Sequence, residues 1–355
     1  MRVETVMFAP TTDQYSGRVP KPIQAAEIAA AAREVEELGF DGGTSPEAGH
    51  DAFLPLAIAA EHTRRIRLGT NVAIAFPRSP MVTAQMAWDL QAFSNGRFRL
   101  GLGSQVKAHV ERRYGTPWTG GPGPRLREYL LCLRAIWKSF QDGEKPSWFK
   151  GEHYQFTLLS PFFSPGPIEH PHVPIDLAAV NPYMARLAGE LADGLRLHPI
   201  STFRHTAQVI VPAIAEGAKK AGRDPAEFDL ILTPFLATGS DARELEKAKR
   251  ATKQRIAFYA STPTYHSVLA FHGWQELGER LHRMTREGKW AQLGDEIPDG
   301  ALAAWAIVAT WDQLAAQVVE RCRSAGAPTV MLDLPPALRA AKGPLREIVR
   351  AIQKG

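Results

Sequence analysis

A carboxylate and an imidazole stand close together in the segment TSPEAGHD, where Glu47 is followed by His50 and Asp51. Such a pair can pass a proton if one loop aims both side chains into a cavity; a solvated loop is the other reading. Asp51 reads first as a helix cap, because its short carboxylate can satisfy the free N–H groups of a helix start. A second imidazole, His198, precedes Pro199 at the end of an apolar run, and it suits either acid–base work or a structural hydrogen bond. Asn71 interrupts the strand-like run RLGTNVAIAF with a carboxamide, a group that binds a ligand at a cavity mouth or is satisfied by neighbouring backbone. Ser104 and Gln105 follow the run RFRLGLG. The stretch AAVNP (Ala178, Ala179, Val180, Asn181, Pro182) combines small side chains with a helix start. Free N–H groups and the positive end of a helix dipole suit a phosphate there, although an ordinary capped helix has the same spelling.

These groups need elements to hold them, and the chain alternates between strand and helix patterns. Strands are predicted at 3–9, 40–45, 65–74, 96–104, 173–180, 194–200, 228–238 and 328–334. Helices are predicted between them, over 22–38, from Asp51 to about Thr63, from Pro80 to Phe93, and around Leu126–Phe140. Further helices follow Asn181-Pro182, span 203–221, fill much of the region after 238, and close the chain along Leu345, Ile348, Val349 and Ile352. Ser79-Pro80 and Asn181-Pro182 share one device, a capping side chain followed by proline at the first helical position. Eight such strands fit either a doubly wound sheet or a closed (β/α)8 TIM barrel. The count favours the barrel, and the residues after the first strand lack G-x-G-x-x-G. The reading is one barrel domain over 1–355, with insertions about 143–173 and 255–305.

In a barrel, function belongs at the C-terminal ends of the strands, where Glu47, Asn71, Ser104, Gln105, the 178–181 stretch and His198 all fall. Strand parity adds detail. Arg67, Gly69 and Asn71 share one face and Leu68, Thr70 and Val72 the other; Arg99, Gly101 and Gly103 repeat the glycine-containing face. That face is predicted to point inward, with Asn71 above an empty interior layer. Lys107 and His109 read as surface residues or as one turn of the next helix.

Composition removes several function classes. The net charge is +5, from 42 basic and 37 acidic residues, with no dense basic cluster, so an anionic small molecule is favoured and nucleic acid is not required. The two cysteines, Cys132 and Cys322, give neither a disulfide framework nor a cysteine metal site, and no metal is expected. No Walker-type glycine loop is present. There is no signal-peptide pattern and no long uninterrupted apolar run, so the expectation is a cytoplasmic protein without membrane association.

The segment LPLAIAAEHTRRIRLGTNVAIAFPRSPMVTAQMAWDLQAFSNGRFRLGLGSQ (54–105) resembles the core signature of the luciferase-like monooxygenase superfamily. PIDLAAVNPYMARLAGELADGL (174–195) and AIVATWDQLAAQVVERCRSAGAPTVML (306–332) are similar to its other two signatures. The resemblance implies a (β/α)8 barrel with FMN or the deazaflavin coenzyme F420. SPEAGHDAFLPLA and AFYASTPTYHSVLAFHGW are most similar to the F420-dependent oxidoreductases. That branch implies a non-prolyl cis peptide at Asn71–Val72 against the deazaflavin ring. It also implies a phosphate held by residues 178–181, with Ser104 and Gln105 bordering the coenzyme. Two departures stand out: Ala178-Ala179-Val180-Asn181 replaces a loop that often carries glycines, and Ala309 stands where glycine is common. The expected activity is hydride transfer between F420 and a small organic substrate, in a homodimer or higher homo-oligomer. Glu47, His50 and His198 are the candidates for proton transfer, and Tyr265 and His266 for substrate contact. The alternatives are an FMN-dependent monooxygenase and a flavin-binding protein without turnover. A sugar-phosphate barrel enzyme fits less well, because LATGSD and LDLPPAL are poor phosphate loops.

Overall fold

Eight parallel strands close into a ring in the computed structural model, which describes residues 1–8, 23–143 and 146–355. They are β1 (Arg2–Val6), β2 (Gly42–Ser45), β3 (Arg67–Thr70), β4 (Phe98–Gly103), β5 (Ile175–Ala179), β6 (Gly194–Leu197), β7 (Asp229–Leu232) and β8 (Thr329–Leu332). Each pairs with the next, and β8 returns to β1 with Val330 beside Val3. The fold is therefore the expected (β/α)8 barrel. The tail of the first predicted strand and the start of the first predicted helix lie outside the described residues.

The surrounding helices begin and end where local chemistry directs. α1 (Ala25–Glu37) is followed by Gly39 at φ +91°, a conformation glycine adopts without a side-chain clash. α2 (Leu54–His62) starts after Asp51, whose carboxylate accepts the N–H groups of Phe53 and Leu54 at 2.8 and 3.0 Å. α3 (Pro80–Phe93) is capped by Ser79, which accepts from Val82 N–H at 3.2 Å. α4 (Pro122–Asp142) packs Leu126, Leu130, Leu133 and Trp137 into the core. α5 (Pro182–Leu191) is capped by Asn181, and α6 (Val211–Lys220) crosses it closely. A Cβ at Gly189 would lie 2.1 Å from Ile214 O, so only glycine permits that approach. Among the described residues no helix is long and apolar enough to cross a membrane.

Leu68, Leu100, Leu102, Leu177 and Leu195 face the helices and are buried, as their parity predicts. The inward face differs from the expected empty layer. Gly69 and Gly101 make room for the Arg196 side chain: a Cβ at either would lie 3.3 Å from it. Arg196 is ion-paired to Glu4 at 2.9 Å and to Asp176 at 3.1 Å, all three essentially inaccessible. Arg99 also pairs with Asp176, and below them Asp229 meets Arg2 at 2.9 Å. Nearby carboxylates outweigh the burial that opposes the Arg196 and Arg99 charges and hold both guanidinium pKa values above the ordinary one. Val6, Ile231 and Met331 form a small apolar layer within the same barrel.

Three predicted elements change. The strand expected at 65–74 breaks after Thr70 at a cis Asn71–Val72 peptide, then resumes at Ala73–Ile74 beside Leu102 and Gly103. The strand expected at 228–238 also splits, because Pro234 has no N–H to continue a ladder. Its second part, Phe235–Gly239, leaves the barrel and pairs with Ala306–Thr310, a strand the sequence reading folded into a helical region. Finally, α7 (Ala242–Ala260) runs unbroken through position 255, so the second excursion starts only at the Ser261-Thr262-Pro263 break. Beyond it, helices including α8 (Gln275–Arg286) build a second core around Ile256, Leu281, Leu293 and Trp305. The barrel is completed by α9 (Trp311–Ser324) and α10 (Lys342–Lys354). The excursion at 143–173, apart from residues 144–145 outside the described set, carries a short antiparallel pair, Phe149–Lys150 with Gln155–Phe156.

Candidate active site

The C-terminal ends of β2 to β6 surround an open cavity of about 510 Å3. Its floor is the cis Asn71–Val72 peptide. Asn71 N–H bonds Ser45 O at 2.8 Å, and its side-chain amide donates to the Met331 sulfur at 2.8 Å. Its Oδ1 has no partner among the described residues. Gly103 lies between Val72 and Ala178; a Cβ there would come within 3.0 Å of Val72 Cγ2 and 3.5 Å of Ala178 Cβ. The absence of that side chain, and the small alanines on β5, leave an open slot above the floor.

Most of the residues predicted at the mouth line the cavity. Ser104 and Gln105 follow β4, and Gln105 has φ +60° with its Oε1 accepting from Val106 N–H at 2.9 Å. Ala178, Ala179, Val180 and Asn181 form the adjacent wall. The helix start offers less to an anion than expected. Asn181 Oδ1 already accepts Met184 N–H at 2.9 Å, Ala185 N–H bonds Asn181 O at 3.1 Å, and Pro182 has no N–H. Tyr183 N–H has no partner among the described residues and remains as a first-turn donor. Lys107, read from sequence as a surface residue or as one turn of the next helix, opens the short helix Lys107–Arg112 and supplies a cation at the rim; its side chain is 63% exposed and 3.8 Å from Glu111.

Glu47 lines the cavity but is fully engaged. It accepts two bonds from Arg78 at 2.9 and 2.8 Å, one from Ile74 N–H at 2.8 Å and one from Tyr114 OH at 3.1 Å. The other Arg78 nitrogen binds Asp51 at 2.9 Å. Burial opposes the Arg78 charge, yet the two carboxylates hold its pKa above the ordinary value. This unit ties the β2 loop to the resumed part of the third strand. Arg78 stands in the sequence between Phe76-Pro77 and the helix cap Ser79-Pro80, and nothing in that spelling names its partners. Trp118 and Met184 are further wall residues whose aromatic and apolar character reads from sequence simply as core. His50 is exposed and does not line the cavity.

His198 lies at the opposite end of the cavity from Glu47's loop, in the turn after β6. Its ring stacks on Tyr265 with centroids 4.9 Å apart and an interplanar angle of 22°, and meets the edge of Tyr259 at 4.8 Å. Burial holds its pKa down to about 4, so the ring is neutral at physiological pH. Ile200 N–H donates to Nδ1 at 3.2 Å. Tyr265 lines the cavity from the turn Pro263–Tyr265. His266 does not: it packs on Gly278, with Nε2 buried and without a hydrogen-bond partner among the described residues.

Residues 3–329 match the family described as luciferase-like monooxygenase. A protein of Mycobacterium tuberculosis described as uncharacterized is 46% identical over 301 residues, 85% of this chain and 88% of that one. A 5,10-methylenetetrahydromethanopterin reductase of Methanolobus tindarius is 31% identical, covering 83% of this chain and 86% of its own length. An F420-dependent glucose-6-phosphate dehydrogenase of Amycolatopsis mediterranei is 29% identical over 74% of each chain. Among solved structures, the coenzyme F420 dependent tetrahydromethanopterin reductase from Methanopyrus kandleri superposes with a TM-score of 0.75. It is 22% identical, with 94% of this chain and 96% of that chain covered, and supports the fold.

Proposed function

We propose that this chain, which belongs to the luciferase-like monooxygenase family, is an oxidoreductase that moves a hydride between coenzyme F420 and a small organic substrate. The observation that carries the reading is the open slot at the mouth of the barrel, bordered by Asn71, Val72, Gly103 and Ala178. It is supported by the F420-dependent relative and by the F420-dependent structure of the same fold.

Bound in the slot, the deazaflavin would supply the two-electron hydride chemistry. Asn71 and Val72 would support its ring, and the free Asn71 Oδ1 would accept a hydrogen bond from it. Ser104, Gln105 and the 178–181 wall would border it, with Tyr183 N–H and the Lys107 ammonium facing its phosphate. Trp118 and Met184 would keep water from the reacting face. We assign Glu47 the role of a strut, because every bond it makes holds Arg78, Ile74 or Tyr114 in place. The substrate end belongs to His198 and Tyr265. No role follows for His50 or His266.

Titration of the purified protein with F420, FMN and FAD, followed by fluorescence, tests the reading. Saturable F420 binding with substrate-dependent loss of F420 absorbance is the expected result. Tight FMN binding with oxygen-dependent product would replace it by a monooxygenase. F420 binding with no turnover on any substrate would leave a binding protein.

A further inference from the structure

We infer that His198 is a fixed hydrogen-bond donor for a carbonyl oxygen, so that the substrate end of the cavity takes an uncharged ketone, aldehyde or enone and the reaction there is its reduction. The inference rests on the hydride-transfer reading for its electron source, but the donor assignment rests on this chain alone.

The loop after β6 decides which nitrogen carries the proton. Ile200 is fully buried, and its carbonyl accepts Trp305 Nε1–H at 2.6 Å from the second core. Thr202 is held through its hydroxyl to His272 Nε2 at 2.7 Å. This clamped turn aims Ile200 N–H at His198 Nδ1. A nitrogen that accepts a hydrogen bond carries no proton, so neutral His198 must be protonated at Nε2. That Nε2–H has no partner among the described residues, while the ring lines the cavity. In this state Nε2 donates and cannot take a proton. His198 is therefore unsuited to serve as the base that oxidation of an alcohol would require. It is suited to stabilise negative charge developing on an oxygen, as a neutral imidazole donor does without giving up its proton.

The surroundings select against charge. His198 is flanked by Tyr265, Tyr259 and Val180. Among the described residues, the charged ones lining the cavity are Glu47, neutralised by Arg78, and Lys107 at the exposed rim. A carboxylate or phosphate beside His198 would be an ion with no counter-ion among them. A bound reduced deazaflavin would supply the hydride, its C–H bond breaking as a C–H bond forms at the electrophilic carbon, while His198 Nε2–H would hold the oxygen that receives the π pair. Water would supply the proton that completes the product, and the ring N–H proton released by the oxidised coenzyme would neutralise the hydroxide left behind. The carbonyl compound would gain two electrons and two hydrogens, and the coenzyme would lose the same.

Two measurements without coenzyme test this. Nitrogen NMR of protein labelled with 15N in its histidine rings, with His198 identified by its loss in His198→Phe, should show protonated Nε2 and bare Nδ1 at pH 7. Difference infrared spectroscopy with carbonyl-13C cyclohex-2-enone should show a lowered C=O stretch in the native protein. The shift should vanish in His198→Phe, which keeps an aromatic ring for the stack, and return in part in His198→Gln. Pyruvate and glucose 6-phosphate should bind at least tenfold more weakly than the enone. An Nδ1–H tautomer, an imidazolium at pH 7, an unshifted stretch, no enone binding, or equal binding of the anions would each overturn the inference. F420 titration of the native protein separates the two readings, since failure there leaves the tautomer result standing.

Discussion

Asn71 is the residue on which the cofactor reading turns, and its two ends are in different environments. Its amide nitrogen is committed to Met331, whereas Oδ1 is free at the cavity floor. Asn71→Leu should lower F420 affinity about fivefold, the size of one hydrogen bond of about 1 kcal/mol, with little change in thermal stability. Unchanged affinity in a fluorescence titration, with lost stability, would make the carboxamide structural. Arg78 shows the opposite behaviour. Removing it as Arg78→Met leaves Glu47, 5% exposed, without its cation, which should cost about 3 kcal/mol in a urea unfolding curve. The buried histidines set the acid limit. Burial lowers His198, His205 and His272 from the ordinary 6.5 to about 4. Their neutral forms are favoured by the fold, so their contribution is complete above about pH 6.5 and is lost as pH falls toward 4. The melting temperature should therefore drop steeply across that window, with net proton uptake on unfolding. Asn71, His198 and the 178–181 wall were readable as mouth residues because strand ends have a defined direction. His50 and His266 were not separable from them, because in a turn the side-chain direction depends on what the turn packs against.

Helices were the most legible elements, since their starts are written locally in Ser79-Pro80 and Asn181-Pro182. The strands failed where pairing changes partner. The run 228–238 has one continuous apolar pattern, yet it serves two sheets, and AIVAT at 306–310 becomes a strand only because Phe235–Gly239 lies beside it. Close helix packing was equally hidden. Gly189 of α5 and Gly217 of α6 each face the other helix's backbone, and a Cβ at Gly217 would lie 2.0 Å from Arg186 O. Gly189→Ala should destabilise the protein by about 2 kcal/mol in spite of alanine's better helix propensity, as judged by chemical denaturation. A neutral or stabilising result would mean that the two helices separate at little cost.

The whole molecule is organised around a charged barrel interior joined by residues far apart in the chain; Glu4 and Arg196 are separated by 192 positions. Glu4→Gln should cost about 3 kcal/mol, because it removes one counter-ion from a guanidinium that water cannot reach. Differential scanning calorimetry would check it, and a change below about 0.5 kcal/mol would show that Asp176 alone suffices. The sequence by itself determined the alternation of strands and helices, the caps, the inward parity of Gly69 and Gly101, and the placing of Asn71, His198 and the 178–181 stretch at the mouth. Those features follow from residue periodicity and from hydrogen bonds between near neighbours. Only the tertiary structure decided that Arg196 fills the space the glycines leave, that Glu47 is held by Arg78, and that Ile200 dictates the tautomer of His198. Each of these depends on which atoms closure of the barrel brings within hydrogen-bonding distance, and the order of residues along a strand does not specify that meeting.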